Sequence, residues 1–124
     1  MKIYLDDIRT PSDPFWVVVR KPAAFKELML SLKDTSKLEV SFDHDLADDH
    51  YEIYHLYEDT PVIEGVSETG YDLAKWMIDN NIIPKTVWVH SANPAGAKNI
   101  INLFENREYS NYKGPKVIRT FWPC

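Results

Sequence analysis

Cysteine is almost missing from this chain. The single one, Cys124, is the last of 124 residues. It has no partner within the chain, so a disulfide-stapled secreted scaffold is excluded and a cytoplasmic setting is expected. Long hydrophobic runs are missing too, and none approaches the ~18 residues of a membrane span. The chain enters an apolar run at once, Ile3-Tyr4-Leu5, so no signal peptide is expected. Positive charge is in deficit: 14 Lys and Arg face 19 Asp and Glu, for a net charge of −5. That balance argues against a long nucleic-acid backbone as ligand, because such binders present basic surface. A small anion bound through a cation stays compatible with it. The chain has no internal repeat and no low-complexity linker.

What is present is the composition of a globular domain, 44% hydrophobic and 27% charged, in a length that fits one domain over 1–124. Short apolar runs alternate with helical patterns. Residues 2–6, 15–20, 38–43 and 86–90 read as buried strands, and Val117, Ile118, Thr120 and Phe121 as a closing strand. Pro22 opens a helix with Phe25, Leu28, Met29 and Leu32 on one face. Thr69 and Asp72 form a capping-box pattern ahead of Leu73, Trp76 and Met77, and Asn80-Asn81 and Pro84 end that helix. Asn93-Pro94 caps a further helix with Ala97, Ile100, Ile101 and Phe104 on its inner face. Alternation of this kind predicts an α/β fold around a mostly parallel five-stranded sheet. The loop between the first two strands is short for a helical crossover, which usually needs a dozen or more residues. Either that crossover has degenerated or the second strand is unusually placed.

Residues 46–68 break the pattern. They are acidic, contain no Lys or Arg, and carry Tyr51, Tyr54 and Tyr57 at helical spacing, with His50 and His55. Such an insertion can serve as a lid, with a base stacking on a tyrosine, or its tyrosines can simply pack on the domain. The two histidines are too loosely spaced to define a zinc site.

The chemistry-bearing residues cluster where strands end. Ligands of open parallel sheets bind beyond the carboxyl ends of the strands. Asp6-Asp7 follows the first strand, Asp43-His44-Asp45 the third, and His90-Ser91-Ala92-Asn93-Pro94-Ala95-Gly96 the fourth. Adjacent acids suit a hard cation such as Mg²⁺. Strand alternation predicts Asp43 and Asp45 on one side and His44 on the other. A helix start at Asn93 with small residues Ala95 and Gly96 offers open amides to a phosphate, and Ser91 can add a hydroxyl. His90 can carry a proton near neutral pH. Arg9 can hold a phosphate in bidentate fashion or lie on the surface.

Together, Leu5-Asp6-Asp7-Ile8-Arg9-Thr10-Pro11, Ser41-Phe42-Asp43-His44-Asp45-Leu46, Thr69-Gly70-Tyr71-Asp72-Leu73-Ala74 and His90-Ser91-Ala92-Asn93-Pro94-Ala95-Gly96-Ala97 resemble the cyclic-phosphate-processing receiver-like domains. These are diverged relatives of response-regulator receivers, found in bacteria and phages, and the resemblance runs from Lys2 to about Phe121. It implies a flavodoxin-like three-layer sandwich with a degenerate first crossover helix. It also implies an acidic metal pocket: Asp6 and Asp7 match the receiver's metal-binding pair, Asp43 the phosphate-accepting aspartate and Ser91 the hydroxyl residue. The lysine that receivers carry after the fifth strand has no match in Arg119-Thr120-Phe121-Trp122-Pro123.

The leading expectation is a metal-dependent phosphoesterase acting on the cyclic phosphate of a small nucleotide or an RNA end. Asp6, Asp7, Asp43 and Asp45 would surround Mg²⁺ or Mn²⁺, and His90 or His44 would serve as acid or base beside Asp43. Arg9, Ser91, Asn93 and Gly96 would take the phosphate. The alternatives are a receiver-type switch phosphorylated on Asp43 and a non-catalytic module that sequesters a nucleotide.

Overall fold

The computed structural model describes residues 1–46, 68–107, 109 and 114–120. Most of the acidic segment, with its tyrosines and His50 and His55, lies outside the described residues, as do Phe121 and Cys124. Five short hydrophobic runs form strands: β1 (Lys2–Leu5), β2 (Trp16–Val19), β3 (Glu39–Phe42), β4 (Thr86–Val89) and β5 (Lys116–Arg119). Among the described residues three helices join them: α1 (Pro22–Ser31), α2 (Gly70–Asp79) and α3 (Pro94–Glu105). The sheet is all parallel in the order β2-β1-β3-β4-β5. Residues 6–15 cross from β1 to β2 without a helix, so the first crossover is degenerate. Among the described residues no helix is long and apolar enough to cross a membrane.

Alternation along the strands divides the sheet into two faces. Ile3, Leu5, Val40, Phe42, Val87 and Val89 are buried in one core with Phe25 and Met29 of α1, Leu73 and Met77 of α2, and Ile100 and Phe104 of α3. All three described helices therefore lie over one face. The residues between those positions, Tyr4, Ser41 and Trp88, stand in register on the other face. That face carries an aromatic layer. Tyr4 meets Trp16 edge-on at 5.9 Å, and Trp16 meets Trp88 at 6.2 Å. Lys2 lies 4.6 Å over the Trp16 ring.

The helix ends follow their sequence signals. The Thr69 hydroxyl accepts the Asp72 amide and the Asp72 carboxylate accepts the Thr69 amide, the reciprocal capping box. Asn81 has φ 58°, with its amide on the Ile78 carbonyl and the Ile82 amide on the Met77 carbonyl. This left-handed stop satisfies the last carbonyls of α2. The Asn93 side chain accepts the Gly96 amide at 3.0 Å and caps α3.

The sheet hydrogen bonding runs one residue past β1, β3, β4 and β5. The amides of Asp6, Asp43, His90 and Thr120 donate to the carbonyls of Val19, Leu5, Phe42 and Val89 at 3.0–3.1 Å. The first three carry candidate site side chains, so their backbones are held as rigidly as the sheet itself.

Candidate functional site

Three carboxylates converge at the carboxyl ends of β1 and β3. Asp6, Asp7 and Asp43 each present one oxygen, all within 4.8 Å of one another. Neighbouring strands bring them together, since β1 pairs directly with β3. Asp6 is fully buried and Asp43 is 3% exposed. Buried carboxylates this close repel unless their charge is compensated.

The two buried acids respond in opposite ways. Burial pushes the Asp6 carboxyl up, but hydrogen bonds from His90 and from the Arg9 and Ile8 amides outweigh it and hold the group below its ordinary value. Asp43 goes up, through burial first and the Asp6 charge second; His90, Arg9 and a hydrogen bond with Ser91 oppose that rise without cancelling it. Asp43 is thus the member that most needs a neighbouring positive charge.

Arg9 supplies part of it. Its Nε lies 3.8 Å from Asp6 Oδ2, and its Nη1 donates to the His90 carbonyl at 3.4 Å. Arg9 and His90 oppose the rise at Asp43 without cancelling it, so the three carboxylates keep an excess of negative charge that a divalent cation would offset. Hard carboxylate oxygens are the donors that Mg²⁺ and Mn²⁺ prefer, so the residues present fit such an ion.

The structure places several expected site residues differently. Asp45 is not brought into the acid cluster. The chain bends at His44 instead of continuing the strand, so alternation fails there. Asp45 keeps an exposed side chain whose Oδ1 lies 2.8 Å from His44 Nδ1. Asn93 Nδ2 also reaches Asp45 Oδ1, at 3.5 Å. His44 and Asp45 therefore form a carboxylate-oriented imidazole at the start of α3, rather than pointing apart.

His90, expected to serve as an acid or base, is 1% exposed and bound at both ring nitrogens. Its Nε2 lies 3.0 Å from Asp6 Oδ2 and its Nδ1 2.6 Å from Ser41 Oγ. The ring stacks on Tyr4 at 4.2 Å and 11°. It sits behind Asp6 and cannot touch a substrate. Ser91 is likewise 1% exposed; it bonds Asp43 and accepts the Asn93 amide at 3.1 Å. The Gly96 amide is taken by the Asn93 cap and the Ala97 amide by the Asn93 carbonyl. Pro94 has no N–H, so Ala95 carries the first-turn amide that neither cap bond uses.

Three residues that were given no role from the sequence, and Gly96, which was expected to take the phosphate, shape the site. Arg20, just past β2, donates to the carbonyls of Asp6 and Arg9 at 3.3 and 2.7 Å and to Thr10 Oγ1 at 2.8 Å. It braces the acidic loop. Arg119, at the end of β5, donates to the carbonyls of Val89, Thr120 and Ser91 at 2.7–3.1 Å and braces the loop after β4. Gly70 lets α2 start against the Asp43 carbonyl, which a Cβ would strike, and its amide donates to the His44 carbonyl at 2.8 Å. Gly96 leaves room for the His44 ring, which a Cβ would also strike. That packing, rather than phosphate contact, explains the second glycine.

The fold and the acids define a receiver-like α/β domain with a metal-competent acidic pocket. The family model described as the cyclic-phosphate processing receiver domain matches residues 1–106, and the chain belongs to that family. Comparison with curated proteins and with solved structures found no match.

Proposed function

We propose that the domain is a divalent-metal-dependent phosphoesterase that opens the cyclic phosphate of a nucleotide or an RNA end. The observation that carries this reading is the convergence of Asp6, Asp7 and Asp43, with Arg9 beside them. The His44–Asp45 pair at the start of α3 adds a proton carrier. Asp6, Asp7 and Asp43 would hold Mg²⁺ or Mn²⁺, which when bound supplies Lewis-acid polarisation of a phosphoryl oxygen.

The rest of the reaction falls to this chain's own groups. Arg9 binds a non-bridging phosphate oxygen, and the Ala95 amide at the positive end of α3 adds to it. Asp45 fixes His44 through Nδ1, which leaves Nε2 to exchange a proton. His44 takes a proton from water as the water oxygen bonds to phosphorus. One ring P–O bond breaks, and the departing ribose oxygen receives a proton from the same imidazolium. The product is a phosphomonoester beside a free hydroxyl. A strained five-membered ring keeps its leaving oxygen tethered, so orientation and charge neutralisation account for the chemistry required.

The test is incubation with 2′,3′-cyclic nucleotides and Mg²⁺ or Mn²⁺, with products resolved by chromatography. Metal-dependent phosphomonoester formation is expected. No turnover across several metals and cyclic substrates refutes the reading. Incorporation of beryllofluoride or of phosphate from acetyl phosphate at Asp43, without turnover, would instead assign the pocket to a phospho-switch.

A further inference from the structure

We infer that His90, held by Ser41, is a positioning residue that fixes which lone pair Asp6 presents to the cation. The inference rests on the metal-dependent reading above and concerns Asp6 alone. An ionised carboxylate has about four acceptor positions, two on each oxygen. In Asp6 three are taken. Oδ1 accepts the amides of Ile8 and Arg9 at 2.9 and 2.8 Å, and Oδ2 accepts His90 Nε2 at 3.0 Å. Arg9 Nε, at 3.8 Å from Oδ2, is beyond hydrogen-bonding distance. One lone pair on Oδ2 therefore remains for a ligand, and the imidazole on the other side of that oxygen sets its direction.

The imidazole is itself held from two sides. A carboxylate only accepts, so Nε2 must carry the proton that it shares with Asp6. Ser41 Oγ engages Nδ1 at 2.6 Å, and Tyr4 lies flat against the ring at 4.2 Å. Strand register puts Tyr4 and Ser41 side by side on the face opposite the helices. The column Ser41–His90–Asp6 thus runs from the interior of the sheet to the metal pocket, and no member can rotate without breaking a buried hydrogen bond. An outer partner of this kind orients a metal-ligating group and raises its affinity for the ion.

The experiment is a Mn²⁺ titration of the whole protein, with free ion measured by electron paramagnetic resonance. It compares wild type, Ser41→Ala, His90→Gln and the surface control Ser36→Ala. Wild type and the control should bind one ion with equal affinity. His90→Gln should weaken binding by about 10- to 100-fold, and Ser41→Ala should weaken it by less, each with an unchanged cooperative melt in the absence of metal. A second readout is the His90 Nε2 proton in a Mg²⁺ titration by NMR. It should shift as Asp6 takes up the ion, which a merely space-filling histidine would not show. Variants that fold and bind Mn²⁺ within twofold of wild type overturn this inference alone. A wild type that takes up no Mn²⁺ overturns it together with the reading on which it rests. If His90→Gln fails to fold, Ser41→Ala decides: unchanged affinity overturns the inference and weakened affinity sustains it.

Discussion

Replacing Asp43 with asparagine should make the metal-free protein more stable and remove most of its response to metal. Asp43 is 3% exposed, and its carboxylate oxygen lies within 4.8 Å of an oxygen of Asp6. Two unit charges at that separation repel by about 3.5 kcal/mol at an effective dielectric constant of ~20. Asparagine removes the repulsion and keeps the shape. It also gives up part of the favourable charge interaction with Arg9 and turns a charge-assisted bond with Ser91 into a neutral one, at a cost of about 1–2 kcal/mol. The net gain is about 1.5–2.5 kcal/mol, or roughly 6–10 °C in Tm for a domain of this size. Saturating Mg²⁺ at a hundredfold excess over Kd should stabilise the wild type by about 2.7 kcal/mol and the variant far less. The assay is thermal unfolding at pH 7.5 with and without Mg²⁺ and Mn²⁺. An Asp43→Asn protein that is less stable than wild type without metal, or that gains as much from metal, would refute the reasoning.

The remaining predictions come from the same site. Because burial and Asp6 raise the Asp43 carboxyl above its ordinary 3.8, its contribution to metal-free stability is full below that value and is lost as pH rises through the raised one. Denaturant melts of wild type should show this falling slope, and Asp43→Asn should lack it. Asp6 works in the opposite sense: held below 3.8, it favours the fold above that value and ceases to do so in stronger acid. Mn²⁺ affinity should climb as Asp43 deprotonates, measured by calorimetry across that window. Asp45→Asn should lower turnover by about 10- to 100-fold through loss of His44 orientation, while Mn²⁺ affinity stays within about twofold. Unchanged kcat in Asp45→Asn would remove His44 from the chemistry. Gly96→Ala should fold, since alanine favours a helix by about 1 kcal/mol over glycine, yet lose turnover as the new methyl displaces the His44 ring. A crystal structure of that variant with the ring unmoved would contradict this.

Much of the architecture could be read before any coordinates. The five apolar runs became the five strands because each is bounded by turn residues or by acids that no sheet interior tolerates. The capping box at Thr69 and Asp72 and the cap at Asn93 are local, so spacing alone located two helix starts. The meeting of Asp6, Asp7 and Asp43 followed from a general rule about strand ends, combined with the motif resemblance.

The misreadings share a cause: each depended on contacts remote in sequence. Asp45 was assigned to the metal by carrying strand alternation three residues past Phe42, where the chain already bends toward α2. His90 looked like an acid–base group because its neighbours in sequence are polar; its neighbours in space are Tyr4, Ser41 and Asp6, which only the strand order brings beside it. Once β1, β3 and β4 are known to be adjacent, the alternation that puts Tyr4, Ser41 and Trp88 on one face also puts Asp6 and His90 there. Arg20 and Arg119 left no signal at all. Their acceptors are mostly main-chain carbonyls, which every residue type possesses.

The central claim, that three aspartates from two adjacent strands hold a divalent cation, is tested most directly by a Mn²⁺-soaked crystal with anomalous scattering. A single anomalous peak bonded to one carboxylate oxygen each of Asp6, Asp7 and Asp43 is the expected result. A peak held by other residues, or no peak at that pocket, would contradict the account.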